Sequence, residues 1–246
     1  MGTRGFRGGL VGWRASVTTL APHALRVLTT GDGSPTLART DTGWTYRSDR
    51  GALCEADHVF VHGADVLGRA RIRVLELGFG VGTNFAALVR AARAAGVDGL
   101  DVHAVERARV PAAMLPRFDA AAHTLAVEAT ERGHAAADGV SLTIHAGEFE
   151  DFVPQAMFDA VWLDPFGPDA EPESWSADVT RVVAAALAPD GRLVTYSSAG
   201  WIRRNLAAVG LFVGTLPGPV TGKREFTVAA HSRERLGDAR VRNVPR

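Results

Sequence analysis

Lysine is almost missing from this chain. Lysine and arginine together number 27, yet Lys223 is the only lysine. Arginine therefore supplies nearly all fixed positive charge, in a planar fork suited to phosphate and carboxylate. The single cysteine, Cys54, excludes an internal disulfide framework and fits a reducing, cytoplasmic setting. It lies on an apolar-rich stretch and reads as packing rather than as a nucleophile. No apolar run approaches the roughly 20 residues that span a bilayer; the longest is near 182–188, so no membrane association is expected. Arg4, Arg7 and Arg14 are not followed by an apolar run, which argues against a signal peptide. Net charge is absent too, with 27 acids against 27 bases. That argues against a generally basic coat but not against a local basic face. No acid precedes Asp32, and five arginines crowd the end of the chain after Ser232. The eight histidines show no metal-ligand spacing, so no metal is expected. No G-x-S-x-G nucleophile elbow is present.

What is present is periodic. Residues 26–29 and 35–39 flank Gly31-Asp32-Gly33 and predict a β-hairpin. Residues 44–48 read as another short strand, and 51–63 as a helix. From residue 71 to 209 strand and helix alternate. Strands are predicted at 73–77, 100–105, 141–144, 158–163 and 192–196, and helices at 83–95, 111–130 with a break at Pro116, 176–187 and 199–209. Pro189-Asp190-Gly191 reads as a turn. Residues 212–216 and 225–230 close the pattern as an antiparallel pair. This alternation implies an α/β fold with a mostly parallel sheet covered on both faces. The organisation read from it is an Arg- and Gly-rich N-terminal segment over 1–25, expected to be flexible. A β/helical extension follows over 26–70, then the main domain over 71–230 and a basic tail over 231–246.

The chemistry concentrates after the strands. Glu76-Leu77-Gly78-Phe79-Gly80-Val81-Gly82 follows a buried strand and opens a helix. Glycines allow close backbone approach to a ligand, and a helix start offers free N–H groups. The spacing is G-x-G-x-G, whereas the dinucleotide fingerprint needs glycine where Thr83 stands. Glu76 would repel a pyrophosphate but suit a ligand carrying ammonium and sulfonium, which favours S-adenosylmethionine over NAD. Glu106, past the second strand, sits where an acid accepts from a ribose diol. After the third strand the residue facing an adenine amino group is ambiguous among Glu148, Glu150 and Asp151; Glu148 is the candidate. Asp164-Pro165-Phe166-Gly167-Pro168 follows the fourth strand, where open α/β sheets bind ligands. Asp164 there is placed to orient an acceptor amine and take its proton. Trp162 reads as core, while Trp175 and Trp201 read as core or pocket lining.

Several strings together resemble the MnmC-like methyltransferase family, over roughly residues 26–230. They are Tyr46-Arg47-Ser48, the run from Gly51 to Phe60, the run from Val74 to Phe85, Leu163-Asp164-Pro165-Phe166-Gly167-Pro168, Pro172-Glu173-Ser174-Trp175, the run from Ser198 to Arg204, and Gly222-Lys223-Arg224-Glu225. The resemblance implies a Rossmann-like methyltransferase fold with a small N-terminal β extension and an antiparallel C-terminal strand. It implies methyl transfer from S-adenosyl-L-methionine to the aminomethyl nitrogen on C5 of the anticodon wobble uridine. The implied partner is the tRNA anticodon stem-loop. The bifunctional members add a flavin-dependent oxidase domain, for which this chain is too short, so no flavin is expected. Glu76, Gly78, Phe79, Gly80, Gly82 and Asn84 match the cofactor loop, Glu106 the ribose acid and Asp164 the active-site acid. Lys223, Arg224 and Glu225 match a C-terminal motif whose cations would meet tRNA phosphate or position the pocket. Tyr46, Phe166 and Trp201 would hold the flat base. The chain departs from the pattern at Asp169-Ala170-Glu171, where a basic residue is usual. Two rival readings are methyl transfer to another base or small-molecule amine, and a non-catalytic RNA-binding protein with a vestigial pocket.

Overall fold

The computed structural model describes residues 18–220, 222 and 224–241. Strand β1 (Thr18–Thr19) precedes the hairpin of β2 (Leu25–Thr29) and β3 (Pro35–Arg39). Helix α1 (Ala52–Glu55) continues without a break into a π-type turn at Ala56–His62. Then come β4 (Arg71–Leu77), α2 (Thr83–Ala94), β5 (Gly99–Glu106), β6 (Ala108–Arg109), α3 (Ala120–Arg132), β7 (His134–Ala137) and β8 (Val140–Ala146). The chain ends with β9 (Phe158–Leu163), α4 (Ala177–Ala186), β10 (Leu187–Thr195), α5 (Gly200–Ala208), β11 (Phe212–Pro217), β12 (Glu225–Ala230) and β13 (Arg240–Val241).

Nine strands form one sheet in the order β13-β11-β12-β10-β9-β4-β5-β8-β7. The five strands from β10 to β8 run parallel, and antiparallel strands close both edges. The α/β architecture expected from the alternation is therefore present. Successive strand residues face opposite sides of a sheet, so both faces need cover. Along β4, Ile72 and Val74 pack with Phe60, Phe85 and Leu88 on one face. Leu75 and Leu77 pack with Val179, Val183 and Leu206 on the other. Strand β5 lies on one side of β4 and β9 on the other, so the strand order reverses at β4. Such a switch point leaves a crevice at the carboxyl ends of the strands.

The hairpin turn does a second job. Thr30 Oγ1, Ser34 Oγ and Asp32 Oδ2 accept from the N–H groups of Ala52 (3.1 Å), Leu53 (3.1 Å) and Cys54 (2.9 Å). Three of the unpaired donors at the start of α1 are thus satisfied from outside the helix.

Several sequence expectations are corrected. Residues 44–48 form no strand, only a single bridge between Ala38 and Thr45. Thr45, Tyr46, Arg47 and Ser48 instead all line one cavity, which strand alternation would forbid. The helix expected over 111–130 starts only after Asp119, whose side chain accepts from Ala122 N–H at 2.9 Å. Pro111 and Pro116 leave the segment before it without continuous donors. Strand β7 was not expected, because His-Ala-Ala-Ala has no strand character. It forms because Gly133, Asp138 and Gly139 adopt positive φ and fold it back onto β8. The predicted turn at 189–191 is a register shift inside β10. Cys54 is exposed rather than packed. Residues 1–17 of the N-terminal segment lie outside the described residues, while Thr18–Thr19 pairs with Ala108–Arg109. The segment read as a tail from residue 231 buries Leu236 and adds β13 to the sheet.

Candidate active site

A cavity of about 500 Å³ opens at the switch point. Its floor is the loop after β4, with Gly78, Phe79, Gly80 and Val81. One wall comes from the end of β5, with Glu106, Arg107 and Ala108, and from Phe149 after β8. The opposite wall is Asp164, Pro165, Phe166 and Gly167 after β9, with Tyr196. Residues 45–48 of the N-terminal extension and Gly222 complete the mouth.

The glycines are demanded by contact. Gly78 has φ +95°, and a Cβ there would stand 2.6 Å from the Asp164 carbonyl oxygen. At Gly80, φ +54°, a Cβ would stand 2.9 Å from the Tyr46 ring. The loop is therefore a cradle that side chains would fill. Glu106 accepts from Gly80 N–H through Oε2 (2.9 Å) and from Ala108 N–H through Oε1 (3.0 Å), which ties the loop to the next strand.

The Asp164 segment is pinned from several directions. Its N–H donates to the Leu77 carbonyl at 2.9 Å. The Tyr196 hydroxyl donates to the Pro165 carbonyl (2.9 Å), and Trp175 Nε1–H donates to the Phe166 carbonyl (2.9 Å). Asn84 Nδ2 donates both to Glu76 Oε1 (2.7 Å) and to Asp164 Oδ2 (2.8 Å). The Arg47 guanidinium reaches the same Oδ2 at 2.5 Å. Burial pushes the Asp164 carboxyl up to about 7 despite the Arg47 cation. Burial, with Asp164 nearby, pushes Glu76 up to about 8. Burial also raises Glu106. A carboxyl raised to near neutrality on a cleft wall, as Asp164 is, suits proton-transfer chemistry.

Of the residues singled out from sequence, Asp164, Gly78, Phe79, Gly80, Glu106, Tyr46 and Phe166 all line this cavity. Tyr46 and Phe166 pack with ring centroids 5.0 Å apart, and Trp44 lies 5.8 Å from Phe166. Others stand elsewhere. Glu76 and Asn84 are wholly buried beneath the loop and meet the cavity only through Asp164. Gly82, at φ +74°, packs under the Phe79 ring. Glu148 is exposed and paired with Arg107 at 3.6 Å, and Phe149 takes its expected place on the wall. Trp201 is 37% exposed at the start of α5 and not on the wall, whereas Trp175 and Trp162 are core. Arg224 is exposed, and Glu225 pairs with Arg203 at 3.1 Å. Lys223 lies outside the described residues.

Arg107, Glu171 and Arg47 line the cavity but were given no role from the sequence. Arg107 follows Glu106 directly and binds Glu171 (2.7 Å) and Glu173 (3.3 Å). Glu171, from the segment where a basic residue is usual, is thus an acid on the wall held by an arginine. Arg47 belonged to a matched string but carried no sequence signal of burial. Its partner Asp164 is distant in the chain.

The residues fit S-adenosyl-L-methionine. The glycine cradle leaves room for backbone approach, and Glu106 and Asp164 present acceptors to a ligand rich in donors and positive charge. Glu76 Oε2 and Asn84 Oδ1, buried beneath the loop, have no hydrogen-bond partner among the described residues. Both belong to an acid–amide pair that supports the cradle. Among the described residues no cluster of His, Cys, Asp and Glu fits a metal ion, and no helix is long and apolar enough to cross a membrane.

A family model described as S-adenosyl-L-methionine-dependent methyltransferase matches residues 117–232. The chain is similar to the tRNA 5-methylaminomethyl-2-thiouridine biosynthesis bifunctional protein MnmC of Cupriavidus necator, at 32% identity over 81% of this chain and 33% of the relative. For the protein of the same name from Azoarcus sp. the figures are 33%, 79% and 34%. The chain spans about a third of the length of these curated relatives. Among solved structures it is similar to MnmC2 from Aquifex aeolicus, with a TM-score of 0.75 and 27% identity over 87% of this chain and 73% of that one. Spermidine synthase from Thermotoga maritima, at 15% identity and a TM-score of 0.54 over 87% of this chain and 72% of that one, shares the fold alone.

Proposed function

Because the chain belongs to the MnmC-like S-adenosyl-L-methionine-dependent methyltransferases, we propose that it methylates an exocyclic amine on tRNA, namely the aminomethyl nitrogen on C5 of the wobble uridine. The observation that carries this reading is Asp164. It stands on the cavity wall at the end of β9, its carboxyl poised near neutral pH and its backbone pinned.

S-adenosyl-L-methionine, when bound, supplies a methyl group already activated by its sulfonium. Gly78, Gly80 and Glu106 would hold it. The chain's own residues then have to position the acceptor, a role that can lower a barrier by about 7–11 kcal/mol. Asn84 and Arg47 both contact the Asp164 carboxylate at Oδ2, and Oδ1 has no hydrogen-bond partner among the described residues. Oδ1 accepts from the amine N–H, aims the nitrogen lone pair away from Asp164, and takes the proton shed by the methylated amine. Tyr46 and Phe166 offer a tilted aromatic pair against which a flat base can stack. The MnmC relatives, named for tRNA 5-methylaminomethyl-2-thiouridine biosynthesis, support a tRNA substrate.

The test is incubation with aminomethyl-bearing tRNA and methyl-labelled donor, followed by nucleoside analysis. Label on the wobble nucleoside is expected. Label on another amine, or none, overturns the reading. Asp164→Ala is expected to lower transfer by at least 100-fold, about the contribution of a general base, while donor binding by calorimetry persists.

A further inference from the structure

Arg47 has not been given a task by the proposed reaction, yet it is the most deeply placed cation at the site. Its side chain is 5% exposed and that of Asp164 is 6% exposed. A guanidinium does not lose its proton in a protein, so this charge is permanent. Burying it is expensive unless partners compensate. The partners are Asp164 Oδ2 at 2.5 Å and, on the other side, Glu55 Oε1 at 3.9 Å. The Phe60 ring lies 5.5 Å from the guanidinium carbon and closes the remaining face.

We propose that Arg47 is a positioning residue: a fixed cation that locks Asp164 through Oδ2, turns Oδ1 to the cavity, and keeps the carboxylate ionised to take the amine's proton. This deepens the methyl-transfer reading and rests on it. Arg47 and Asn84 both contact Oδ2, and they approach from different elements, the loop after β3 and helix α2. Two donors on one oxygen fix the carboxylate plane and leave the other oxygen for the substrate. An ammonium has no free lone pair and cannot accept a methyl group. Arg47 lines the same cavity and holds Asp164 in the ionised form that can take a proton from the amine.

The groups that bear on Asp164 come from each packed element. They are Arg47 from the loop after β3, Glu55 from α1, Glu76 from β4, and Tyr196 after β10. Only Arg47 is positive. Its removal leaves Asp164 facing Glu55, which favours the protonated form. The sign is therefore opposite for two neighbours in one network. Arg47 favours the ionised carboxylate and Glu55 disfavours it.

The test reads the carboxyl carbon of Asp164 by NMR in carbon-13-labelled, ligand-free protein, so it does not depend on transfer. Arg47→Met is expected to raise the Asp164 titration midpoint by at least about one pH unit, and Arg47→Lys to restore most of the shift. Glu55→Gln is expected to lower the midpoint, a reversal that general loosening of the site does not produce. In the transfer assay, a one-unit rise leaves about fivefold less ionised Asp164 at pH 7. The acidic limb of the rate profile is then expected to move upward with the midpoint, with donor affinity unchanged. If Arg47→Met does not fold, Arg47→Lys and Glu55→Gln still carry the opposite signs. An Asp164 midpoint that stays put, or that moves the same way in Glu55→Gln as in Arg47→Met, overturns the proposal. Loss of transfer with the NMR shifts as expected counts against the tRNA reading and not against the role of Arg47 in holding Asp164.

Discussion

Glu76 and Asp164 are joined by one amide, Asn84 Nδ2, which donates to both. At the residue scale this pairing decides the charge of the site. Burial raises Glu76 from 4.5 to about 8 and Asp164 from 3.8 to about 7, so at neutral pH Glu76 is mostly protonated and Asp164 is partly ionised. A carboxyl whose folded pKa lies above its unfolded value stabilises the fold at low pH. That stability is lost as pH rises from the unfolded value through the folded one. Glu76→Gln imitates the protonated acid. It is expected to gain stability relative to the wild type as pH rises from 4.5 towards 8, and to gain no more beyond that. Urea midpoints measured across that range check it, and a constant difference refutes it. The sequence showed that Glu76 sits at the end of one strand and that Asp164 follows another. It did not show that Glu76 lies under the loop while Asp164 faces the cavity, since that depends on which side of the sheet each strand end presents.

At the element scale, the N-terminal extension and the glycine loop work together. The β2–β3 turn caps α1, and the following residues 45–48 close the cavity over the loop after β4. Burial alone would raise the Asp32 carboxyl, but hydrogen bonds from Ser34, the Cys54 N–H and Thr30 together outweigh it and hold it down at about 2. Asp32→Ala removes a helix cap, which typically costs about 1 kcal/mol. Thermal unfolding is expected to show a loss of that size at pH 7. The difference from the wild type is expected to shrink as pH falls below 3.8 and through about 2, where the wild-type carboxyl also loses its charge. The hairpin and the helix were both legible in sequence, from Gly31-Asp32-Gly33 and the apolar spacing after Gly51. Their capping contact was not, because it joins hairpin side chains to backbone N–H groups about twenty residues further along the chain.

The whole molecule extends past the last strand expected from sequence. Leu236 is fully buried, and Arg235 donates to the Ala64, Asp65 and Asp190 carbonyls while its own carbonyl accepts from Arg192. Residues 231–241 thus fasten β10 and β11 to the end of the first helix. Leu236→Ala is expected to destabilise by about 2–5 kcal/mol, as cavity-forming changes in a core do. Its activity at low temperature should match the wild type, because Leu236 is not among the residues lining the cavity. A melting temperature within a degree of the wild type would show that this segment is a tail after all. The run of arginines there hid it, since Arg235 and Arg192 look like surface charge until their carbonyl partners are known.

Local order was decided within the sequence itself. The alternation of apolar strands with amphipathic helices, the turn glycines and the acid after each strand are short-range patterns. They were enough for the parallel sheet, the glycine cradle, Glu106 and Asp164. Which residues share a wall was decided only by the tertiary structure. Arg47 meets Asp164, Asn84 bridges two acids, and Arg107 gathers Glu171 and Glu173 because a twisted sheet brings several strand ends to one crevice. Charge pairing and burial across that crevice depend on distances between remote segments, and no periodicity along the chain encodes them.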